Sequence, residues 1–183
     1  MISLSGFGYE DTLKNPSKAF ARTWHSRSFI NGPAVNEFEK QFAEYCEADS
    51  CVALSSCTSA LHLSLLALGV GPGDEVITVS YTWVSTVEVI KQVGATPVFV
   101  DISLNDMCID PKEVAKKISK KTKAIIGVDL YGNVCDIDEL KKFNVPVIQD
   151  SAQSTGAYYK NKRVGSVADL TCFSFYPTKN LSC

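Results

Sequence analysis

The stretch Thr171-Cys-Phe-Ser-Phe-Tyr-Pro-Thr-Lys-Asn-Leu-Ser-Cys183 decides how this chain is interpreted. An apolar, strand-like run ends at Pro177, and Lys179 follows it in a turn. Earlier in the chain a second apolar run, Val145-Pro-Val-Ile-Gln, ends on Asp150. Because the carboxyl ends of parallel strands form one edge of a sheet, the lysine and the aspartate are expected to meet at that edge. The sequence therefore predicts a site built on this pair.

Short apolar runs alternate with segments of helical periodicity along the rest of the chain. The runs predict strands at residues 51–55, 75–79, 96–101, 124–129, 145–150 and 170–175. The segments between them predict helices at 58–68 and 83–93, a helix that begins at Asp110-Pro111, and an earlier one opened by Gly32-Pro33. Nearly continuous apolar strands separated by helices are typical of an α/β fold, with a mostly parallel sheet and helices on both faces.

Polar and aromatic side chains follow the predicted strands. In order they are Ser56-Cys57-Thr58-Ser59, Tyr81-Thr-Trp83, Asp101, Tyr131-Gly132, Asp150 with Gln153, and Ser174 with Lys179. Free N–H groups at the start of the helix after Ser56 favour an anion. A lysine amine that forms a Schiff base and a carboxylate that keeps a pyridine nitrogen protonated are what a pyridoxal 5'-phosphate enzyme needs. Each piece alone also has an ordinary interpretation, as a solvated charge, a helix cap or a core aromatic.

Composition excludes several other classes of protein. The 183 residues allow one sizeable core, and a net charge of −2 provides no field to attract nucleic acid or an anionic membrane. No apolar run reaches the length of a membrane span, and the start lacks the features of a signal peptide. Seven cysteines form no C-x-x-C pair, and with only two histidines a metal site is not expected. The sequence predicts a cytoplasmic protein.

The motifs occur in a recognisable order. They are Ser-Cys-Thr-Ser-Ala-Leu, Gly-Pro-Gly-Asp-Glu-Val-Ile, Tyr-Thr-Trp-Val-Ser-Thr, Gly-Ala-Thr-Pro-Val-Phe-Val-Asp, Leu-Tyr-Gly, Gln-Asp-Ser-Ala-Gln and Phe-Ser-Phe-Tyr-Pro-Thr-Lys-Asn-Leu. From about Phe29 to Leu181 the sequence resembles the DegT (StrS-type) family of nucleotide-sugar aminotransferases, which are fold-type I pyridoxal-phosphate enzymes. The resemblance implies that residues 1–183 are the cofactor-binding large domain, with an N-terminal arm at 1–32. It also implies that the chain ends before the rest of the sheet and a small C-terminal domain.

The resemblance also implies roles for individual residues. Lys179 is expected to carry the Schiff base and to shuttle the proton, and Asp150 to pair with the pyridine nitrogen. The other expected cofactor contacts are phosphate binding by Thr58, Ser59 and Ser174, ring stacking by Trp83, and a hydrogen bond near the phenolic oxygen from Gln153. Cys57 stands where many relatives have glycine, which is tolerable where backbone groups grip the phosphate. Tyr131 and Asn31 are expected near the sugar, with packing and turn formation as equally open alternatives.

Three hypotheses about function follow. The first is an aminotransferase of polysaccharide biosynthesis, a homodimer in its complete form, which moves an amino group from glutamate or a similar donor to a keto-sugar nucleotide. The second is a sugar dehydratase of the same family, but those relatives carry histidine where this chain has Lys179. The third is a non-catalytic truncated remnant, or half of a split enzyme. Because an interior strand is expected beyond Cys183, residues 1–183 alone are expected to be inactive.

Overall fold

A computed structural model describes residues 16–181, and its geometry divides the chain into one unit up to Ala53 and another from Leu54 onward. The first unit contains helices α1 (Pro16–Ser26) and α2 (Pro33–Cys46). Helix α2 has proline in its first turn and is capped at its C-terminus by Glu47, which adopts a left-handed conformation. The arm predicted at residues 1–32 belongs to this unit, and its residues 1–15 lie outside the described residues.

The elements of the second unit are α3 (Cys57–Ala67), β1 (Glu75–Val79), α4 (Ser85–Gln92), β2 (Thr96–Val100), α5 (Pro111–Lys117), β3 (Thr122–Val128), a 3-10 turn (Leu130–Gly132), α6 (Ile137–Lys141), β4 (Val147–Asp150), the antiparallel pair β5 (Tyr158–Tyr159) and β6 (Lys162–Arg163), and β7 (Leu170–Cys172). Five of the strands form one sheet in the order β2-β1-β3-β4-β7, and every pairing in this sheet is parallel.

Both faces of the sheet are covered, because successive residues of a strand point to opposite sides. On one face Leu65 of α3 and Ile90 of α4 pack with alternate residues of the sheet, and on the other Val114 of α5 and Leu140 of α6 do the same. All four side chains are fully buried. The predicted fold class, a mostly parallel sheet with helices on both faces, is confirmed.

Several predicted element bounds are too long, and one predicted strand is wrong. Residues 51–55 form no strand, since no described strand pairs with their backbone and a strand needs such a neighbour for its backbone groups. Strand β4 begins at Val147 because Pro146 has no N–H to donate. Strand β7 ends at Cys172, whose register partner Asp150 is the last residue of β4. Within residues 16–181 the structure has no helix with the length and apolar character of a membrane span.

Candidate active site

The carboxyl edge of the sheet gathers most of the predicted site residues. Val128, Asp150 and Cys172 are register partners on three adjacent strands, so the segments that follow β3, β4 and β7 leave the sheet side by side. Helices α3 and α4 pack together on one face of the same sheet. The parallel topology thus brings Asp150 and Lys179 to one place, as the sequence predicts.

Asp150 is a buried carboxylate with several hydrogen-bond donors around it. Its Oδ2 accepts a hydrogen bond from Thr86 Oγ1 at 2.8 Å, and its Oδ1 accepts one from the Ala152 N–H at 3.3 Å. The Cys57 thiol lies 3.8 Å from Oδ1. Burial raises the pKa of Asp150, while the hydrogen bonds and the positive charge of Lys179 act in the opposite direction. A carboxylate in this setting gains from a cationic partner.

Lys179 lies in the turn after β7 and is partly buried. The backbone N–H of Lys179 donates to the Tyr176 carbonyl at 2.8 Å, and the backbone N–H of Tyr176 donates to Ser174 Oγ at 3.3 Å. These two bonds fix the turn that begins at Ser174. The side chain is near enough to Asp150 for its charge to act on the carboxylate.

The start of α3 offers a site for an anion. Ser56 caps the helix by accepting a hydrogen bond from the Ser59 N–H at 3.1 Å, and the Ser59 hydroxyl lies 3.0 Å from Ser56 Oγ. In a helix the first N–H groups have no partner inside the helix, and here those of Cys57 and Thr58 precede the capped amide. A phosphate at this position would compete with Ser56 for Ser59 and would gain from the helix dipole.

Aromatic side chains stand exposed at the same edge. Trp83 is 74% exposed, and the hydroxyls of Tyr81 and Tyr131 lie 2.9 Å apart, a hydrogen bond that raises the pKa of Tyr131. Tyr131 adopts a left-handed conformation with φ 58, and its N–H donates to Gln153 Oε1 at 2.9 Å. Strained backbone of this kind is often found at functional sites. Of the residues expected near the sugar, Asn31 belongs to the first unit, and its role stays a prediction.

Two residues that were not predicted from the sequence, Thr86 and Asp129, support the carboxyl edge of the sheet through hydrogen bonds. Thr86 contacts Asp150, as described above. Asp129, fully buried after β3, accepts hydrogen bonds from the Cys135 N–H at 3.0 Å and from Gln149, Ser151 and Ser154 at 2.8, 2.8 and 3.0 Å. Burial raises the pKa of Asp129 to about 6. The network holds the loop that carries Gln153. A signal existed, because Asp129 follows β3 as directly as Asp150 ends β4.

The described residues contain no group of histidine, cysteine or acidic side chains arranged to hold a metal ion. The site therefore consists of a buried carboxylate, a nearby lysine, a helix start and an aromatic rim. Such an arrangement can bind a molecule that is cationic at one end, anionic at the other and flat between them.

Comparisons with known proteins agree with this chemistry. A model of the DegT/DnrJ/EryC1/StrS aminotransferase family matches residues 11–183. The chain is 44% identical over 159 residues to a UDP-2-acetamido-2-deoxy-3-oxo-D-glucuronate aminotransferase from Pseudomonas aeruginosa, a match that covers 85% of this chain and 44% of that protein.

Two solved structures are also similar. DesV from S. venezuelae, in complex with a ketimine intermediate, superposes with a TM-score of 0.90 at 39% identity, over 96% of this chain and 48% of that one. The protein Spr1654 from Streptococcus pneumoniae, in its PMP form, superposes with a TM-score of 0.84 at 38% identity, over 88% of this chain and 46% of that one. The chain spans about half the length of the relatives it matches.

Proposed function

The chain belongs to the DegT/DnrJ/EryC1/StrS aminotransferase family, and we propose that it forms the cofactor-binding part of a pyridoxal-phosphate-dependent sugar aminotransferase. The protein would take an amino group from glutamate or a similar donor and deliver it to the keto group of a nucleotide-linked sugar. The observation that carries the proposal is the buried Asp150 with Lys179 close by, at the carboxyl edge of a parallel sheet. The P. aeruginosa relative is an aminotransferase for a 3-oxo sugar nucleotide, which supports this substrate class.

The residues present fit pyridoxal phosphate. Asp150 suits a protonated ring nitrogen, because burial makes an unpaired carboxylate costly and a cation relieves that cost. Thr58, Ser59 and Ser174 suit the phosphate, and the exposed Trp83 suits a flat ring. The PMP form of the S. pneumoniae relative, which carries the same cofactor in its amino form, supports the assignment. When bound, the cofactor supplies an electron sink and a temporary carrier for the amino group.

The chain's own residues then have separate tasks. Lys179 would hold the cofactor through its amine and would move a proton at its Nζ. Asp150 would hold the ring through its nitrogen, and Trp83 would lie against one face of the ring. Tyr131 and Asn31 remain candidates for contact with the sugar. A homodimer and a cytoplasmic location, both expected from the sequence, stay part of the proposal.

One experiment tests the cofactor and the lysine together. The full-length protein is incubated with pyridoxal phosphate, reduced with borohydride and digested, and the modified peptide is identified by mass spectrometry. Parallel assays follow 2-oxo acid formation from glutamate and other amino donors, with UDP- and dTDP-linked keto-sugars as acceptors. Modification at Lys179 together with donor-dependent amination is expected. A protein that forms no adduct, or forms it at another lysine, would refute the proposal.

Residues 1–183 expressed alone are expected to show no transamination and to self-associate. Within the described residues β7 pairs only with β4, so the β7 edge of the sheet is open, and Leu63 and Leu66 of α3 are about half exposed. Light scattering and the amination assay measure both properties. As a control, the same residues are fused to the part of the P. aeruginosa relative that follows its match, which should restore a monodisperse protein. A soluble monomer of residues 1–183 with robust turnover would contradict this prediction.

A further inference from the structure

Thr86 makes the shortest hydrogen bond to Asp150. The 2.8 Å bond from Thr86 Oγ1 reaches Oδ2, whereas Oδ1 has the longer bond from Ala152 and the distant thiol of Cys57. Hydrogen bonds to an ionised acceptor are about twice as strong as neutral ones. Thr86 itself is fully buried, so its hydroxyl has no access to water as an alternative partner. Among the side chains that donate to Asp150, Thr86 therefore contributes most.

The surroundings of Thr86 fix the direction of this bond. Thr82 Oγ1 lies 3.0 Å from Thr86 Oγ1. A hydroxyl has one hydrogen, and an ionised carboxylate can only accept. Since Thr86 gives its hydrogen to Asp150, Thr82 must be the donor in the second pair. The Thr86 N–H also donates to the Trp83 carbonyl at 3.2 Å, which joins the turn carrying Trp83 to the carboxylate.

We propose that Thr86 is a positioning residue, whose hydroxyl keeps Asp150 ionised and correctly oriented and whose amide sets the turn that carries Trp83. The proposal rests on the proposed function in one respect, that Asp150 serves a cationic ring. The hydrogen bond and its effect on the carboxylate do not depend on that function. Thr86 contacts neither reacting atoms nor substrate in this assignment, and it acts through Asp150.

The charge balance around Asp150 explains why the hydroxyl matters. The titratable groups that face it are Lys179 in the turn after β7, Cys57 on α3 and Cys172 on β7. Burial raises the pKa of Cys57 and raises the pKa of Cys172 to about 12, so both thiols stay neutral at physiological pH. The charge of Lys179 and the hydrogen-bond donors thus oppose the desolvation of Asp150. Loss of a hydrogen bond to the ionised form of this group is expected to raise its pKa further.

The test compares Thr86→Val, which keeps the shape and removes the hydroxyl, with Thr86→Ser, which keeps the hydroxyl. The matched control is Thr78→Val, because Thr78 is equally buried but donates to the neutral carbonyl of Ile126 at 3.0 Å. Folding equilibrium constants of the cofactor-free, full-length protein are measured from pH 4 to pH 9. If the valine variant does not fold, Thr86→Ala removes the same hydroxyl with less bulk.

The sign of the expected effect follows from linkage. The folded pKa of Asp150 lies above its unfolded value, so its stabilising contribution is present below the unfolded pKa and is lost as pH rises through the folded pKa. Thr86→Val should raise the pKa of Asp150 in the folded protein further, so that the loss of stability continues to a higher pH. The folding constant should fall behind the wild type by about 10- to 100-fold as pH rises. Thr86→Ser should follow the wild type, and Thr78→Val should differ by an offset independent of pH.

Pyridoxal phosphate titrations provide the second measurement. The acidic limb of the pH dependence of cofactor affinity should shift upward in Thr86→Val and return in Thr86→Ser. A pH-independent offset for Thr86→Val, equal in form to that of Thr78→Val, would overturn the inference even if the cofactor binds normally. A protein that shows the pH-dependent loss but binds no cofactor would refute the proposed function and retain the role of Thr86.

Discussion

Replacement of Lys179 by alanine is expected to abolish turnover in the full-length protein. In the proposed function the lysine attaches the cofactor covalently and moves a proton, and the second task alone typically contributes about 10²–10⁴-fold. Lys179 lies in the turn after β7, close enough to Asp150 for its charge to act on the carboxylate. Steady-state assays with the amino donor and acceptor, together with borohydride labelling, measure both losses.

A further variant separates the reactivity of the Lys179 amine from its charge. Lys179→Arg keeps a positive charge beside Asp150 but cannot be deprotonated to serve as a nucleophile or base, so it should be as inactive as Lys179→Ala. Lys120→Ala is the control, because Lys120 is exposed in the loop before β3, at the opposite edge of the sheet. An Arg variant that retains substantial turnover would show that Lys179 acts only as a charge.

The meeting of Asp150 and Lys179 could be predicted from sequence because it depends on local pattern and one topological rule. Apolar runs mark strands, the helices between them make the strands parallel, and parallel strands end at one edge. The helix start at Asp110 could also be predicted from the sequence. The Asp110 side chain caps this helix by accepting a hydrogen bond from the Lys112 N–H at 2.8 Å. These features depend only on residues that are close in the chain and on the parallel arrangement of the strands.

The support beneath the site could not be predicted in the same way. Thr86 and Asp150 are far apart in sequence, and only the packing of α4 on the sheet brings them together. Asp129 presents the same difficulty, since its partners come from the loop before α6 and from the end of β4 with the loop after it. The wrong strand at residues 51–55 has a related cause: apolar residues indicate that a segment suits a sheet, but only a partner strand makes it one.

Replacement of Asp150 by asparagine is expected to leave part of the cofactor affinity but to slow the proton-transfer step by about 10²–10⁴-fold. This range corresponds to about 3–5 kcal/mol of activation free energy. Asp150→Glu keeps the charge on a longer side chain and should be less damaging. Single-turnover kinetics with the amino donor separate this step from cofactor binding, and the exposed Glu88→Gln on α4 serves as the control.

Asp150→Asn slows the proton-transfer step of the enzyme, but it should make the cofactor-free protein more stable. Because burial raises the folded pKa of Asp150, the ionised carboxylate destabilises the fold at neutral pH, and this cost is absent below the unfolded pKa. The asparagine variant should therefore unfold at a higher temperature than the wild type at pH 8 and at a similar temperature near pH 4. Greater stability together with lower activity is what a site kept for function predicts. Near-normal single-turnover rates, or a variant less stable than the wild type at pH 8, would contradict the role assigned to Asp150.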